Sequence, residues 1–235
     1  LSYIFGIMFA WVYCKKILIK EEKILNLFDD LISYIIIGII LGGRLGYVIF
    51  YNFSYYSKNL LEIFMIWEGG MSFHGGLLGV IFATYIFSKK NNINSFLFLD
   101  LISMSAPIGI FLGRVANFIN SELYGRETDL FWSVKFEKID DVFRHPSQIY
   151  EAIFEGIILF VLLNFLFKKQ FYKSAGLISS LFLIFYSSFR FFIEFTREPD
   201  VQIGYIFLNL TLGQLLSFLF FTFGLFLFYK KNESR

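Results

Sequence analysis

The sequence predicts an all-α polytopic membrane protein with about seven transmembrane helices, and three observations lead to this class. Hydrophobic residues make up 57% of the chain and charged residues 17%, against about 25% in ordinary soluble domains. The 34 Phe, 14 Tyr and 3 Trp are more than a soluble core of 235 residues can bury. The apolar residues also fall into runs of about 20 residues, the length that a helix needs to cross a bilayer.

The same composition excludes several other classes of protein. Disordered chains have low hydrophobicity, whereas this chain is strongly hydrophobic. A net charge of +2 is too small to indicate binding to nucleic acid. The single cysteine, Cys14, excludes a disulfide scaffold and a zinc site built from cysteines.

Seven apolar runs are candidate spans, and they cover residues 1–19, 31–53, 71–88, 96–120, 148–167, 175–195 and 205–229. The first is short because only 14 residues precede Lys15, so we expect its lysines to snorkel and a few residues to precede Leu1. Its lysines follow the apolar stretch, which argues against a signal peptide. In the third run, Gly75 and Gly79 stand four residues apart, which predicts close helix packing. Pro146 precedes the fifth run, and proline favours a first helical turn.

The connections are short except for residues 121–147, which we interpret as a polar extracytoplasmic loop. Its ionisable residues are Glu122, Arg126, Glu127, Asp129, Lys135, Glu137, Lys138, Asp140, Asp141, Arg144 and His145. No internal repeat and no Gly/Ser-rich or Pro-rich linker divides the sequence. Residues 1–235 are therefore predicted to form a single transmembrane domain that carries this loop.

The orientation in the membrane follows from the basic residues, which are enriched in cytoplasmic loops. Twelve Lys and Arg residues follow the odd-numbered runs, and six follow the even-numbered runs. The N-terminus should therefore be outside and the C-terminus inside.

Three arginines lie inside the runs, where each costs about 2.5–3.5 kcal/mol at the bilayer centre. They are Arg44, Arg114 and Arg190. The predicted orientation places them in the outer half of the membrane, together with His74, Gln148 and Glu151. This collection predicts a polar cavity that opens outward and supplies the arginines with partners, water or an anionic ligand. Arg44 has no carboxylate at helical spacing and is the weaker candidate for ligand binding; helix packing or a lipid entry path is its alternative.

Helical spacing groups several polar residues on shared helix faces. Two of these faces consist of Tyr186, Arg190, Glu194 and Arg197, and of Arg114, Asn117 and Ser121. Each face also has a plainer explanation. Arg190 and Glu194 can form an ion pair within their own helix, and Asn117 can hydrogen-bond a neighbouring helix.

The two histidines are open to structural and chemical roles. His74 can act as a base, since its ordinary pKa of about 6.5 suits proton transfer near neutrality, or it can make a structural hydrogen bond beside the glycines. Capping or loop anchoring is the expected role of His145. Two histidines far apart make a weak case for a metal, and no metal or nucleotide motif is present, so no cofactor is predicted.

Five blocks of sequence, in order along the chain, carry a further signal. They are GGRLGY at 42–47, WEGGMSFHGG at 67–76, GRVANFINSELYGR at 113–126, HPSQIYE at 145–151 and RFFIEFTREPD at 190–200. Together they resemble one family, the phosphatidylglycerol–prolipoprotein diacylglyceryl transferases, whose signature is the block at 113–126. The resemblance covers nearly the whole chain.

The resemblance implies an enzyme of the bacterial inner membrane. Such enzymes move diacylglyceryl from phosphatidylglycerol to the lipobox cysteine of a prelipoprotein signal peptide, form a thioether and release glycerol phosphate. The family's functional positions fall on His74, Arg114, Asn117, Glu122, Gly125, Tyr186, Arg190 and Glu194. The departures from the family pattern are Ser121 and Ser187 in place of Gly, Tyr124 in place of Trp, and Phe5 in place of a functional Tyr.

From these residues and the resemblance we predict catalytic roles for His74, Arg114, Glu151 and Arg190. The predicted phosphatidylglycerol contacts are Arg44, Arg114, Asn117, Glu122, Gly125, Tyr186, Arg190 and Glu194. A guanidinium fork can hold a phosphate bidentately and strengthen its contact as the leaving group gains charge. The substrate thiol must lose its proton, either to His74 or Glu151 or because the arginines lower its pKa, ordinarily about 8.5. These routes stay open.

Two rival functions fit an arginine-lined cavity. One is a non-catalytic protein that binds or transports anionic lipid, although the inverted repeats common in transporters are not evident in the sequence. The other is an acyltransferase that moves an acyl chain from lipid to amine. The covalent product distinguishes these functions.

Overall fold

The computed structural model describes residues 1–166, 174–199, 204–207 and 210–233, which belong to two compact units. One unit combines Leu1–Cys14 with Asp100–Arg235, and the other is Lys15–Leu99. Both are mainly helical, as the apolar runs predict.

The α-helices are α1 (Ser2–Tyr13), α2 (Glu22–Phe50), α3 (Phe53–Tyr56), α4 (Phe73–Lys90), α5 (Ser95–Asn120), α6 (Ser147–Glu151), α7 (Leu159–Val161), α8 (Leu177–Ile193) and α9 (Leu212–Glu233). Helical turns of other kinds extend or connect them. The π-helical segments are Cys14–Leu18, Ala152–Ile158 and Leu162–Leu166, and the 3₁₀ turns are Leu60–Phe64, Ile66–Glu68 and Glu194–Thr196. In the polar loop, β1 (Val134–Lys135) pairs antiparallel with β2 (Phe143–Arg144).

Five helices of the described part are long and apolar enough to cross a membrane: Glu22–Phe50, Ser95–Asn120, Ser147–Phe165, Leu177–Thr196 and Leu212–Lys231. The prediction of a helical membrane protein is therefore confirmed. The helices of the first and third runs, α1 and α4, are not among these five, so the count of seven spans and the orientation remain predictions. Large apolar side chains such as Phe50 and Phe165 are 73% and 79% exposed, which suits a surface solvated by lipid.

The helix of the last apolar run, α9, begins later than the run at 205–229 predicts. Tyr205–Phe207 (β3) pairs antiparallel with Leu210–Thr211 (β4), because aromatic and β-branched residues favour strands. The start of α9 is marked by a reciprocal pair of hydrogen bonds. The Gln214 N–H donates to Thr211 Oγ1 at 3.2 Å, and the Thr211 N–H donates to Gln214 Oε1 at 3.1 Å. This capping box in the sequence marks the correct boundary.

Within the unit Lys15–Leu99, glycines let α2 and α4 approach closely. A Cβ built on Gly42 would lie 2.8 Å from Gly79 Cα, and one on Gly75 would lie 2.9 Å from Gly46 Cα. These separations are too short for any larger residue. The close packing predicted from Gly75 and Gly79 is therefore confirmed.

Within the other unit, Asp100 joins α5 to the start of α8. Its carboxylate accepts the Gly176 and Ser179 N–H groups, each at 2.7 Å. The first N–H groups of a helix have no partner inside it, so Asp100 serves as the cap of α8. Fourteen residues beyond Asp100 and Gly176, the two helices carry Arg114 and Arg190.

Candidate active site

Arg190 on α8 lies at the centre of a buried group of ion pairs. Its Nη2 is 2.6 Å from Oε2 of Glu194, one turn further along the helix, and its Nη1 contacts Oε1 of Glu151. Arg197, just beyond the helix, places Nη1 3.3 Å from the same Glu151 oxygen. The ion pair between Arg190 and Glu194 is therefore present, and it belongs to a larger assembly.

Arg114 on α5 faces the same assembly from another helix. Its Nε is 3.1 Å from Glu151 Oε2, and its Nη2 is 3.5 Å from Glu155 Oε2. The other oxygen of Glu155 is 3.8 Å from Arg190 Nη1. We call these side chains the arginine–glutamate cluster, which consists of Arg114, Glu151, Glu155, Arg190, Glu194 and Arg197.

Local backbone geometry explains how Glu155 reaches Arg114. Residues Ala152–Ile158 are π-helical, a widened geometry that recurs at functional sites. Gly156, the residue after Glu155, lies against α5. A Cβ on Gly156 would be 2.6 Å from Phe111 Cβ and 3.0 Å from Phe111 Cα. A glycine is needed for this approach, which brings Glu155 beside Arg114.

The cluster is buried, and its three positive and three negative formal charges balance. The side chains of Glu151 and Glu155 are 0% exposed, and those of the arginines are 9–15% exposed. Removing one partner from such a buried ion pair costs about 3–5 kcal/mol. Among the described residues, Arg114 Nη1 and Arg190 Nε donate to no protein acceptor. The cluster therefore combines fixed arginines with N–H donors that can bind an anion.

Two further predicted residues lie next to the cluster along the chain. Tyr186 precedes Arg190 by one turn, is 8% exposed and stacks on Phe182 with ring centroids 5.6 Å apart. Asn117 follows Arg114 by one turn, and its carbonyl accepts the Glu122 N–H at 2.8 Å. Asn117 thus helps to end α5 through its backbone.

The turn after α5 has an unusual backbone. Ser121 and Leu123 have φ of 62° and 55°, in the left-handed region that favours glycine. Between them, Glu122 has an exposed side chain that accepts from Asn120 at 3.4 Å, while its carbonyl accepts from Gln148 Nε2 at 2.7 Å. The predicted residue Glu122 is therefore held by its main chain, and its carboxylate is outside the cluster.

Gly125 joins the polar loop to the chain that follows α8. Its N–H donates to the His145 carbonyl at 3.1 Å, and the Arg126 N–H donates to the Thr196 carbonyl at 2.9 Å. A Cβ on Gly125 would lie 2.6 Å from His145 Cβ and 2.8 Å from the Thr196 oxygen. Glycine is required here because two chain segments meet, and one of them continues to Arg197.

His145 serves as a loop anchor. Its Nδ1 is 3.3 Å from the Tyr150 hydroxyl, and burial lowers the pKa of the imidazole below its ordinary 6.5. Beside it, Arg144 Nη2 donates to Asp140 Oδ2 at 2.6 Å, which lowers the pKa of that carboxyl. These contacts hold the polar loop on the first turn of α6.

Arg44 and His74 lie in the unit Lys15–Leu99. The Arg44 Nε donates to the Ile63 carbonyl at 2.8 Å, and its Nη groups donate to the carbonyls of Glu62, Gly69 and Gly70. The Arg44 guanidinium therefore holds the segment 62–70 in place. These contacts favour a role in packing for Arg44 over a role in ligand binding. His74 is half-buried in the first turn of α4, and its role stays a prediction.

Sequence reasoning missed Glu155. A signal for it existed, because Glu155 is a second carboxylate in an apolar run, one helical turn after Glu151. Among residues 1–166, 174–199, 204–207 and 210–233, no three His, Cys, Asp or Glu side chains are arranged to hold a metal ion.

The sequence is also similar to those of known proteins. The sequence model of the family described as "Prolipoprotein diacylglyceryl transferase" matches residues 1–230. Relatives named phosphatidylglycerol–prolipoprotein diacylglyceryl transferase align over most of both chains. The protein from Rickettsia bellii is 51% identical over 234 residues, which are 98% of this chain and 89% of the relative. Those from Ehrlichia ruminantium and Wolbachia pipientis are 49% and 50% identical over 228 and 223 residues, covering 96% and 92% of this chain and 88% and 83% of the relatives. The chain therefore belongs to the prolipoprotein diacylglyceryl transferase family.

Proposed function

We propose that this protein transfers the diacylglyceryl group of phosphatidylglycerol to the lipobox cysteine thiol of a prelipoprotein signal peptide. The product is a thioether, and glycerol phosphate leaves. The names of the relatives support this reaction, as does the family match over residues 1–230. The observation that carries the assignment of the site is the buried contact of Arg114 and Arg190 with one carboxylate, Glu151.

In this proposal Arg114 and Arg190 bind the phosphate of the donor. Glu151 contacts both guanidinium groups and orients them, so that little reorganisation is needed during the reaction. The cysteine sulfur attacks the diacylglyceryl carbon that is bonded to a phosphate oxygen. The C–S bond forms, the C–O bond breaks, and its electron pair stays on the phosphate. The arginines lower the barrier because their attraction grows with this negative charge.

The thiol proton has more than one possible acceptor. His74 and Glu151 remain candidates for the base, and the field of the arginines remains an alternative that stabilises the thiolate directly. Glu151 already contacts Arg114, Arg190 and Arg197, which favours an orienting role for it. Tyr186, Asn117, Glu122, Gly125 and Glu194 are proposed to shape the donor site.

The proposed setting is the bacterial inner membrane, with residues 1–235 acting as one transmembrane domain of seven spans. The N-terminus and the loop 121–147 would be extracytoplasmic, and the C-terminus cytoplasmic. A single cysteine at Asp141, whose side chain is 94% exposed, tests this in a Cys14→Ala background. Labelling of Asp141→Cys from outside intact cells supports the orientation, and labelling only after the inner face is opened contradicts it.

The transfer itself is tested by mass spectrometry of a lipobox peptide incubated with the protein and phosphatidylglycerol. The expected product carries a thioether-linked diacylglyceryl group, with release of glycerol phosphate. An amide-linked acyl chain or the absence of a covalent product would contradict the proposal. A peptide with Ser in place of the lipobox Cys is the matched control and should remain unmodified.

A further inference from the structure

We propose that Glu155 is a counter-ion that the donor phosphate displaces from Arg114 and Arg190, and that returns to expel glycerol phosphate after transfer. The inference rests on the proposed function and deepens it by giving a role to a carboxylate that the family resemblance does not assign.

Glu155 is the least firmly held carboxylate of the cluster. Its contacts with Arg114 and Arg190 are 3.5 and 3.8 Å long, which makes them the longest ion-pair contacts of the cluster. Glu151, in contrast, contacts three arginines. Glu194 contacts Arg190 at 2.6 Å and accepts from the Thr211 hydroxyl at 2.9 Å. An anion that competes for the two arginines will therefore replace the contacts of Glu155 first.

The charged groups around Glu155 determine which carboxylate an entering anion repels most. Arg114 faces it from α5, Arg190 and Tyr186 from α8, Arg197 from the segment after α8, and Glu151 from its own helix. All of these groups are largely buried, so their charges act through a medium that screens them less than water does. An anion that enters leaves the cluster with a surplus negative charge, and that surplus lies beside Glu155.

The charge of the reactants explains why such a counter-ion is useful. The phosphodiester of the donor carries one negative charge, whereas a phosphate monoester carries about 1.5 to 2 at neutral pH. Arginines alone would therefore hold the product more tightly than the donor. A carboxylate that competes for the same arginines opposes the dianion more than the monoanion, and so favours product release.

Titration calorimetry of the full chain in detergent tests the proposal, with sn-glycerol 1-phosphate as the probe. Glu155→Gln should bind this product about tenfold more tightly than wild type, and should gain less affinity for a short-chain phosphatidylglycerol. Glu155→Asp, which keeps the charge, should bind like wild type. Melting temperatures measured in parallel establish that each variant is folded.

Glu194→Gln is the matched control, because it removes a carboxylate that contacts the same Arg190. It should not tighten product binding, since Glu194 is anchored and positions the arginine. Unchanged or weaker binding by Glu155→Gln would overturn the proposal, as would equal tightening by both Gln variants, which would indicate net charge alone. If wild type transfers no diacylglyceryl group in the peptide assay, the proposed function fails; if it transfers normally but Glu155→Gln binds product like wild type, only the role of Glu155 fails.

Discussion

Replacing Arg114 with lysine tests whether the reaction needs the planar set of N–H donors of a guanidinium group or only a positive charge. Arg114 reaches Glu151 through Nε at 3.1 Å and Glu155 through Nη2 at 3.5 Å, and its Nη1 is directed to no described protein acceptor. A lysine keeps the positive charge but presents a single ammonium group. Arg114→Lys can therefore contact a carboxylate or the donor phosphate, but it cannot hold both in the geometry of the fork.

The expected loss follows from the contacts removed. One charge-assisted hydrogen bond contributes about 1.5–3 kcal/mol, which corresponds to a turnover about 10- to 150-fold slower. Arg190→Lys should lose at least as much, because Arg190 contacts Glu151, Glu155 and Glu194. The loss should fall on kcat if the fork tightens in the transition state, and on KM if it only binds the donor.

The assay is the initial rate of lipobox-peptide modification in vesicles of phosphatidylglycerol, normalised to folded protein. Arg144→Lys is the matched control, because Arg144 lies outside the cluster and also makes a bidentate contact. Its Nε donates to Asp140 Oδ1 at 3.3 Å, and its Nη2 donates to Asp140 Oδ2 at 2.6 Å. Its rate should change by less than about threefold, as for an ion pair near the surface. Near wild-type rates in both Arg114→Lys and Arg190→Lys would refute the fork and leave the arginines as structural ion-pair partners.

Three further predictions follow from the local geometry. Ser121→Gly should raise the stability by about 1 kcal/mol, seen as a higher melting temperature in detergent, because the φ of 62° is strained for serine; an unchanged melting temperature would show that the turn is not strained. Gly156→Ala should lower activity at least tenfold by driving Phe111 and the Glu155 helix apart, since the new Cβ would lie 2.6 Å from Phe111 Cβ; full activity would mean that the separation of these helices is unimportant. The lowered pKa of His145 should make stability complete above about pH 6.5 and reduce it as the pH falls through the folded-state value. His145→Gln should therefore have a smaller difference in melting temperature between pH 7.5 and 5 than wild type, and an equal difference would exclude His145 as the cause.

Apolar run length and helical spacing were sufficient to predict the five long helices and one face of the cluster. Helical spacing placed Arg190 and Glu194 one turn apart, and they form the expected ion pair. Apolar run length predicted the five long helices, because the bilayer sets a minimum length that soluble helices need not meet. The glycines of α4 predicted close packing because a missing Cβ has a direct geometric consequence.

Contacts made by the backbone and by other helices could not be predicted in this way. The partners of Arg44 are carbonyl groups of the segment 62–70, and every residue has a carbonyl, so no sequence signal marks them. Glu155 meets Arg114 where Gly156 and a π-helical segment let two helices approach closely. The late start of α9 was predictable from Thr211 and Gln214, but the hydrophobicity of the preceding strands concealed it.

The central claim is that Arg114 and Arg190 bind the phosphate of the donor lipid. Solid-state NMR can measure this directly through the dipolar coupling between ³¹P of phosphatidylglycerol and ¹⁵N of labelled arginine side chains in membranes. We expect two arginine signals to be dephased by ³¹P, and we expect Arg114→Lys and Arg190→Lys each to remove one of them. Dephasing that persists unchanged in both variants, or that is absent from wild type, would contradict the claim.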